Sequence, residues 1–302
     1  MDPIDFSPAE ARATEWKRDN PSDLSGEVFH NTLLALRDLL TSSEPDQTSV
    51  TTTATSLADF IRTFTRAPDF SDDQRFFLTV CCWHSLDALA RCIPPHHPWH
   101  TSLVRTIHIL RARGDEQIYS AAELQYYKWS DLPQLSSLFW NAWDQSQLLK
   151  RNEYDSPEAK KEVSEWKSWV SWFAQMPAEI ALPHYALSAI KLIEEKVDER
   201  KVKAEVDLWT ACEWLIYKAD KIWEYMRGCK KNCERRGVKG DASEMGEVCR
   251  ESVGDPWGKE RWEWWKGCLR ERAGGGDIDG ELRKKIARAV ASMEAAEGSG
   301  EE

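Results

Sequence analysis

Apolar residues recur every three to four positions through most of this chain, the period of helices that turn one face toward a core. Val28, Phe29, Leu33, Leu36, Leu39 and Leu40 form one such face after Ser25, and Leu57, Phe60, Ile61 and Phe64 form another. Between them, residues 41–55 hold nine Ser or Thr and Pro45 with little to bury, which predicts a mobile loop. Residues 73–92 are apolar nearly all round, as in a helix enclosed by others; Pro94, Pro95 and Pro98 end it. A further helix carrying Leu103, Ile107 and Leu110 begins near Trp99, and the run Leu135, Leu138, Phe139, Ala142 and Trp143 predicts the next.

Ser156 before Pro157 marks another start, because the hydroxyl caps free amide groups and proline fits the first turn without losing a bond. Val163, Trp166, Val170 and Phe173 then mark one face, which Trp169, Trp172 and Met176 widen. A helix with Leu187, Ile190 and Ile193 runs into the charged stretch EEKVDERK, residues 194–201, which predicts a solvated helix end. From 204 to 226 a broad stripe includes Leu208, Trp209, Cys212, Leu215, Ile216, Ala219, Ile222, Trp223 and Met226. No alternating strand pattern competes, so the expectation is all-α: one irregular multi-helix domain over 1–297, with loops near 41–55 and 237–254 and a disordered tail at 298–302. A solenoid-like stack is compatible with this, although the Trp spacings show no constant period.

The stretch DPWGKERWEWWKGCLRERA at 255–273, followed by DIDGELRKKIARAVASMEAAE, resembles the closing helices of a fungal family of uncharacterised proteins, domain of unknown function thirty-six thirty-two. Arg261, Trp262, Trp265, Lys266, Met293 and Glu294 carry the likeness, and Ala211 to Ile216 is similar to an Ala-x-x-Trp-Ile helix of that family. Trp264 stands where Phe is usual, and Gly267 with Cys268 departs from a normally charged turn. The resemblance implies a fungal, intracellular, all-helical protein and carries no activity.

Composition narrows the classes. Across 302 residues, 40 Lys and Arg face 51 Asp and Glu, and a net charge of -11 opposes phosphate backbones and anionic lipid. Nucleic acid and membrane are therefore poor partners, and no stretch approaches the roughly 18 apolar residues of a membrane span. Eight Cys are too sparse for a secreted disulfide scaffold, and MDPIDFSPAE lacks a signal peptide's basic start and apolar stretch. The expected compartment is intracellular, cytoplasmic or nuclear. Sixteen Trp point first to core packing. Only Gly26 and Gly114 precede residue 228, which argues against a glycine-rich nucleotide-binding α/β domain.

The sharp catalytic motifs fail. Gly254 to Lys259 is one residue short of a phosphate loop, with Glu260 where a hydroxyl would hold Mg²⁺. Asp72-Asp73 resembles the start of a diphosphate motif, yet its place before a helix fits capping better. Cys81, Cys82, His84, Cys92, His96, His97 and His100 gather soft and imidazole ligands without the paired spacing of a zinc site, and Cys229-x-x-x-Cys233 lacks a second pair. No catalytic, cofactor-binding or metal-ligating residue is assigned, and no cofactor is implied.

The weak pocket candidates are His84, Asp87 and Arg91, whose spacings of three and four share one side of an otherwise buried helix. A buried His beside a carboxylate fits acid–base work, with Arg orienting an anion; a hydrogen-bonded structural network fits the same pattern. Glu213 is a further candidate member. Residues 227–239 carry Arg227, Lys230, Lys231, Arg235, Arg236 and Lys239 against Glu234, a patch suited to an acidic partner, an import receptor or a solvated turn past a helix end. Function is unknown from sequence; the favoured reading is a non-enzymatic interaction module with an unidentified protein partner. The alternative is a small-molecule-binding protein or enzyme with an inter-helical pocket at His84, Asp87 and Arg91.

Overall fold

The computed structural model describes residues 4–19, 25–42, 49–67, 69–114, 117–120, 125–144, 156–177, 183–194, 201–236, 245–275 and 278–298. The fold is all-α, with one two-stranded hairpin among the described residues. Its contacts divide the chain into two compact units, Met1–Phe173 and Ala174–Glu302.

The first unit is arranged around α4, Asp72–Cys92, which packs against α1 (Ser7–Asp19), α2 (Ser25–Thr41), α3 (Ser49–Thr65), α5 (Pro98–Ala112) and α6 (Leu135–Asp144). The enclosure expected from its apolar circumference is what the packing shows: Leu78, Cys82, Trp83, Leu86, Leu89 and Ala90 are all buried. Ser71 starts the helix, its hydroxyl accepting from the Gln74 amide at 3.3 Å while the Gln74 side chain accepts from the Ser71 amide at 2.8 Å. This capping box satisfies two otherwise free donors, and Asp72 and Asp73 occupy the first turn as favourable charges.

His97 caps α5 through Nδ1, which accepts from the Trp99 amide at 3.3 Å, and Pro98 fills the first turn. Ser156 caps α7 (Pro157–Gln175) as its sequence predicts, accepting from the Ala159 amide at 3.1 Å. Trp83 donates its indole N–H to the Pro133 carbonyl at 2.8 Å, pinning the corner that leads into α6 to the central helix. Around Phe139 on α6 the rings of Trp169, Trp172 and Phe173 meet at centroid distances of 4.5–6.3 Å, and Trp166 stacks on Trp169.

Two expectations for this unit need correction. α3 begins at Ser49, so residues 49–55 are helix rather than loop, while 43–48 lie outside the described residues. The Ser and Thr residues are compatible with a helix because one face is apolar enough: Val50, Thr53, Ala54 and Leu57 are buried, and the Thr55 hydroxyl bonds back to the Thr51 carbonyl. Strands also occur: β1 (Gln117–Ser120) and β2 (Gln125–Lys128) pair antiparallel with Gln117 opposite Lys128. Four residues are too few for alternation to register as a pattern.

In the second unit α9, Lys201–Arg236, packs against α8 (Pro183–Glu194) and α12 (Gly280–Gly298), with α10 (Glu247–Ser252) and α11 (Lys259–Gly274) against α8. The stripe read from Leu208 to Met226 is its inner face; Leu208, Trp209, Cys212, Leu215, Ile222 and Met226 are all buried. The loop expected near 237–254 is interrupted by α10, and 237–244 lie outside the described residues. α12 runs through Gly298, and 299–302 lie outside the described residues.

Candidate functional site

Helical spacing aligns His84, Asp87 and Arg91 on α4, and the structure gives them separate tasks. Asp87 Oδ2 accepts from Arg91 Nε at 2.9 Å, and Oδ1 accepts from the indole Nε1 of Trp169 on α7 at 2.6 Å. The Arg91 guanidinium lies 5.2 Å from the Trp169 ring centroid, so the same indole meets the cation with its face and the carboxylate with its edge. Carboxylate, guanidinium and indole thus close on one another and tie α4 to α7 within the first unit. The Asp87 and Arg91 side chains are only 15% and 18% exposed, so this geometry is shielded from water.

His84 faces other groups. Its ring lies 5.1 Å from Trp16 and 6.2 Å from Phe29, between α1 and α2. Burial lowers its pKa, against the opposing pull of Asp87, and so favours the neutral imidazole. Among the described residues no hydrogen bond joins His84 to Asp87 or Arg91, so the three candidates share a helix side without forming a proton-transfer pair.

Glu213, considered beside them from sequence, has its own partner in the second unit. Its carboxylate binds the ammonium of Lys285 on α12, and Lys285 Nζ also lies 4.0 Å from the Trp209 ring centroid. Burial pulls the Lys285 pKa down while Glu213 acts to restore it. Burial also pushes Cys212 and Tyr217 up to about 12.

Among the described residues, the most completely buried charge cluster is one the sequence reading missed. Glu194, expected in a solvated helix end, is fully buried at the end of α8. Arg261 on α11 grips it with both arms of its guanidinium, Nε to Oε1 at 2.7 Å and Nη2 to Oε2 at 3.0 Å, and both side chains are 0% exposed. The Trp265 indole donates to Oε1, and the Gly246 amide donates to Oε2 at 2.6 Å. A third Arg261 donor, Nη1, reaches the Pro256 carbonyl at 2.9 Å. The carboxylate thereby accepts four hydrogen bonds and the guanidinium donates three of its own, the kind of pairing under which buried charge is tolerated. A sequence signal existed: Arg261 and Trp265 stand four apart on one helix face and are among the residues that carried the family resemblance.

The Cys and His residues between 81 and 100 scatter over different surroundings. Cys82 is fully buried and its thiol pKa is well raised by burial, Cys92 is pushed up to about 11, and His97 serves as a cap. His100 is fully buried, donating Nε2–H to the Ala90 carbonyl at 3.1 Å. Among the described residues no three His, Cys, Asp or Glu side chains gather as metal ligands, and no helix is long and apolar enough to cross a membrane. The basic residues from Arg227 to Arg236 belong to the last turns of α9 itself, which corrects the expected turn past a helix end, and Lys239 lies outside the described residues.

The model of one protein family, described as "Protein of unknown function (DUF3632)", matches residues 83–269. The match takes in Arg261, Trp262, Trp265 and Lys266, all buried, and Ala211 to Ile216, and it stops before Met293 and Glu294. No curated protein and no solved structure matches the chain.

Proposed function

The chain belongs to the family described as protein of unknown function DUF3632, and we propose that it acts as a non-enzymatic intracellular interaction module. The observation that supports this reading is the disposition of its buried carboxylates. Asp87 binds Arg91 and Trp169, Glu194 binds Arg261, Trp265 and Gly246, and Glu213 binds Lys285, each with partners from its own unit. Groups committed in this way fasten helices together rather than wait for a substrate. The eight cysteines, all thiols, accord with a reducing compartment. Trp140 and Tyr225, 53% and 39% exposed, supply aromatic surface of the kind enriched at protein interfaces.

The test is capture with the full chain as bait, followed by reconstitution of the purified pair and titration by calorimetry. A partner that binds with simple stoichiometry, and equally well to His84→Ala, supports the module. A small molecule that raises the unfolding midpoint of the wild type but not of His84→Ala, with no reconstituted protein pair, overturns it in favour of a site at His84, Asp87 and Arg91.

A further inference from the structure

Little of α1 is buried. Of residues 4–19, only Phe6, Ala9 and Ala13 are, and Trp16 is 38% exposed, whereas the neighbouring α2 buries Phe29, Leu33, Leu36 and Leu40. Phe6 meets the Trp99 ring at 6.1 Å, and the Ala9 amide lies against the Cys92 sulfur, which also feels the charges of Asp5, Arg12 and Glu165. Trp16 covers His84 at 5.1 Å and Phe29 at 5.6 Å. His84, Ala88 and Cys92 follow at four-residue intervals on one face of α4, so α1 runs antiparallel along that face.

With so small an apolar face, α1 is held down largely by charge at its two sides. Arg12 pairs with Glu165 on α7, and Glu10 pairs with Arg37 on α2. The Arg12 and Glu10 side chains are 36% and 38% exposed, so water and salt reach both pairs, and pairs of this kind add little stability. Segments with few buried apolar side chains and water-exposed bonds are the ones that open before the rest of a domain. Near its C-terminal end the helix fits closely: a Cβ on Gly26 would stand 2.4 Å from the Lys17 Cα, so glycine is what lets α1 and α2 approach there.

We propose that α1 is a releasable strap, which leaves α4 as one unit while α2 to α6 stay folded, and so uncovers Phe29, His84 and Cys92. The two ion pairs are its fasteners, and salt loosens them. The 13 residues of α1 are too few to keep a helix alone in water, so release exposes all its amides together. The strap goes beyond the interaction-module reading and does not depend on it.

The experiment uses the full chain, with hydrogen exchange by mass spectrometry and iodoacetamide labelling of the native protein. After trypsin, peptide 92–105 reports Cys92, and peptide 76–91 reports Cys81 and Cys82, which are buried in the same helix. Raising sodium chloride from about 50 mM to about 1 M is expected to speed Cys92 labelling and α1 exchange by the same factor, with peptide 76–91 and the α4 amides unchanged. The Glu10→Gln/Arg12→Gln variant should show both effects at low salt, roughly tenfold. Gly26→Ala should do the same with both ion pairs present, because its Cβ displaces Lys17, while the α2 amides keep their protection. Cys92 labelling that ignores salt and all three substitutions is ordinary exposure and overturns the strap. Exchange graded inward from Ser7, the mark of simple fraying, overturns it too. So does loss of α4 protection together with α1, because α1 is then part of the core. The salt series on the wild type decides between these outcomes even where a variant does not fold.

Discussion

Acidification is expected to destabilise the first unit through His100, and the structure sets the size of the effect. Its ring is completely buried at α5. The carbonyl of Ala90 can only accept, so Nε2 carries the proton and Nδ1 is bare; Nδ1 has no partner in its buried surroundings. Charging the ring would place a second N–H against no acceptor. Burial therefore lowers the pKa to about 3, with the Ala90 bond opposing the shift and the nearby His97 and His96 reinforcing it. The unfolded chain titrates this histidine near 6.5. Between those values the unfolded state binds a proton that the folded state refuses, so the contribution is complete above pH 6.5 and is lost as pH falls toward 3.

At about 1.4 kcal/mol per pH unit, the loss by pH 5 is about 2 kcal/mol, a large share of a domain's stability of roughly 5–15 kcal/mol. At pH 5 this figure depends on the unfolded value far more than on the folded one. The assay is urea unfolding at pH 7 and pH 5, followed by Trp fluorescence, for the wild type and for His100→Gln, which keeps a donor toward Ala90 and does not titrate. His84 and His97, also lowered by burial, act alike in both proteins and cancel in the difference. The wild type should lose about 2 kcal/mol more than the variant. Equal losses, or an imidazolium signal for His100 by NMR at pH 5, would refute the reasoning.

Removing one member of the Glu194 cluster should be severe: Arg261→Ala leaves a buried, unneutralised carboxylate and is expected to destabilise by about 3–5 kcal/mol in denaturant titration, with a cost under 1 kcal/mol arguing against full burial. Gly246→Ala would bring a Cβ to 2.5 Å from the Glu194 Cβ and 2.8 Å from its carbonyl carbon, so overpacking of about 1–3 kcal/mol should outweigh any gain in backbone rigidity, and a stabilised variant would contradict this contact. Trp169→Phe keeps an aromatic ring but deprives Asp87 of the indole donor; a loss of about 1–3 kcal/mol by thermal unfolding is expected, and an unchanged midpoint would show that the clamp is dispensable.

Much of the helical framework was legible in advance because apolar spacing reports directly on helix faces. The enclosed α4, the Ser156–Pro157 start of α7 and the inner stripe of α9 all follow from residues that lie close together in the chain. The misread segments were those where local composition and long-range contact disagreed. Ser and Thr between 49 and 55 suggested a loop, yet the buried face of Val50, Thr53 and Ala54 keeps them helical. Glu194, in a run of charges, looked solvated because nothing nearby in sequence announces Arg261, 67 residues away.

The candidate site divided along the same line. That His84, Asp87 and Arg91 share one side of a helix was determined by their spacing, as was the Asp87–Arg91 pair four residues apart. That Trp169 completes this pair, 82 residues from Asp87, and that His84 instead meets Trp16 and Phe29 was decided only when the helices packed. Helical periodicity is a property of a dozen consecutive residues and is written in the sequence itself. The pairing of buried charges depends on which helix faces meet, and that is settled by hydrophobic packing across the whole unit, with burial then making each unpaired charge too costly to keep.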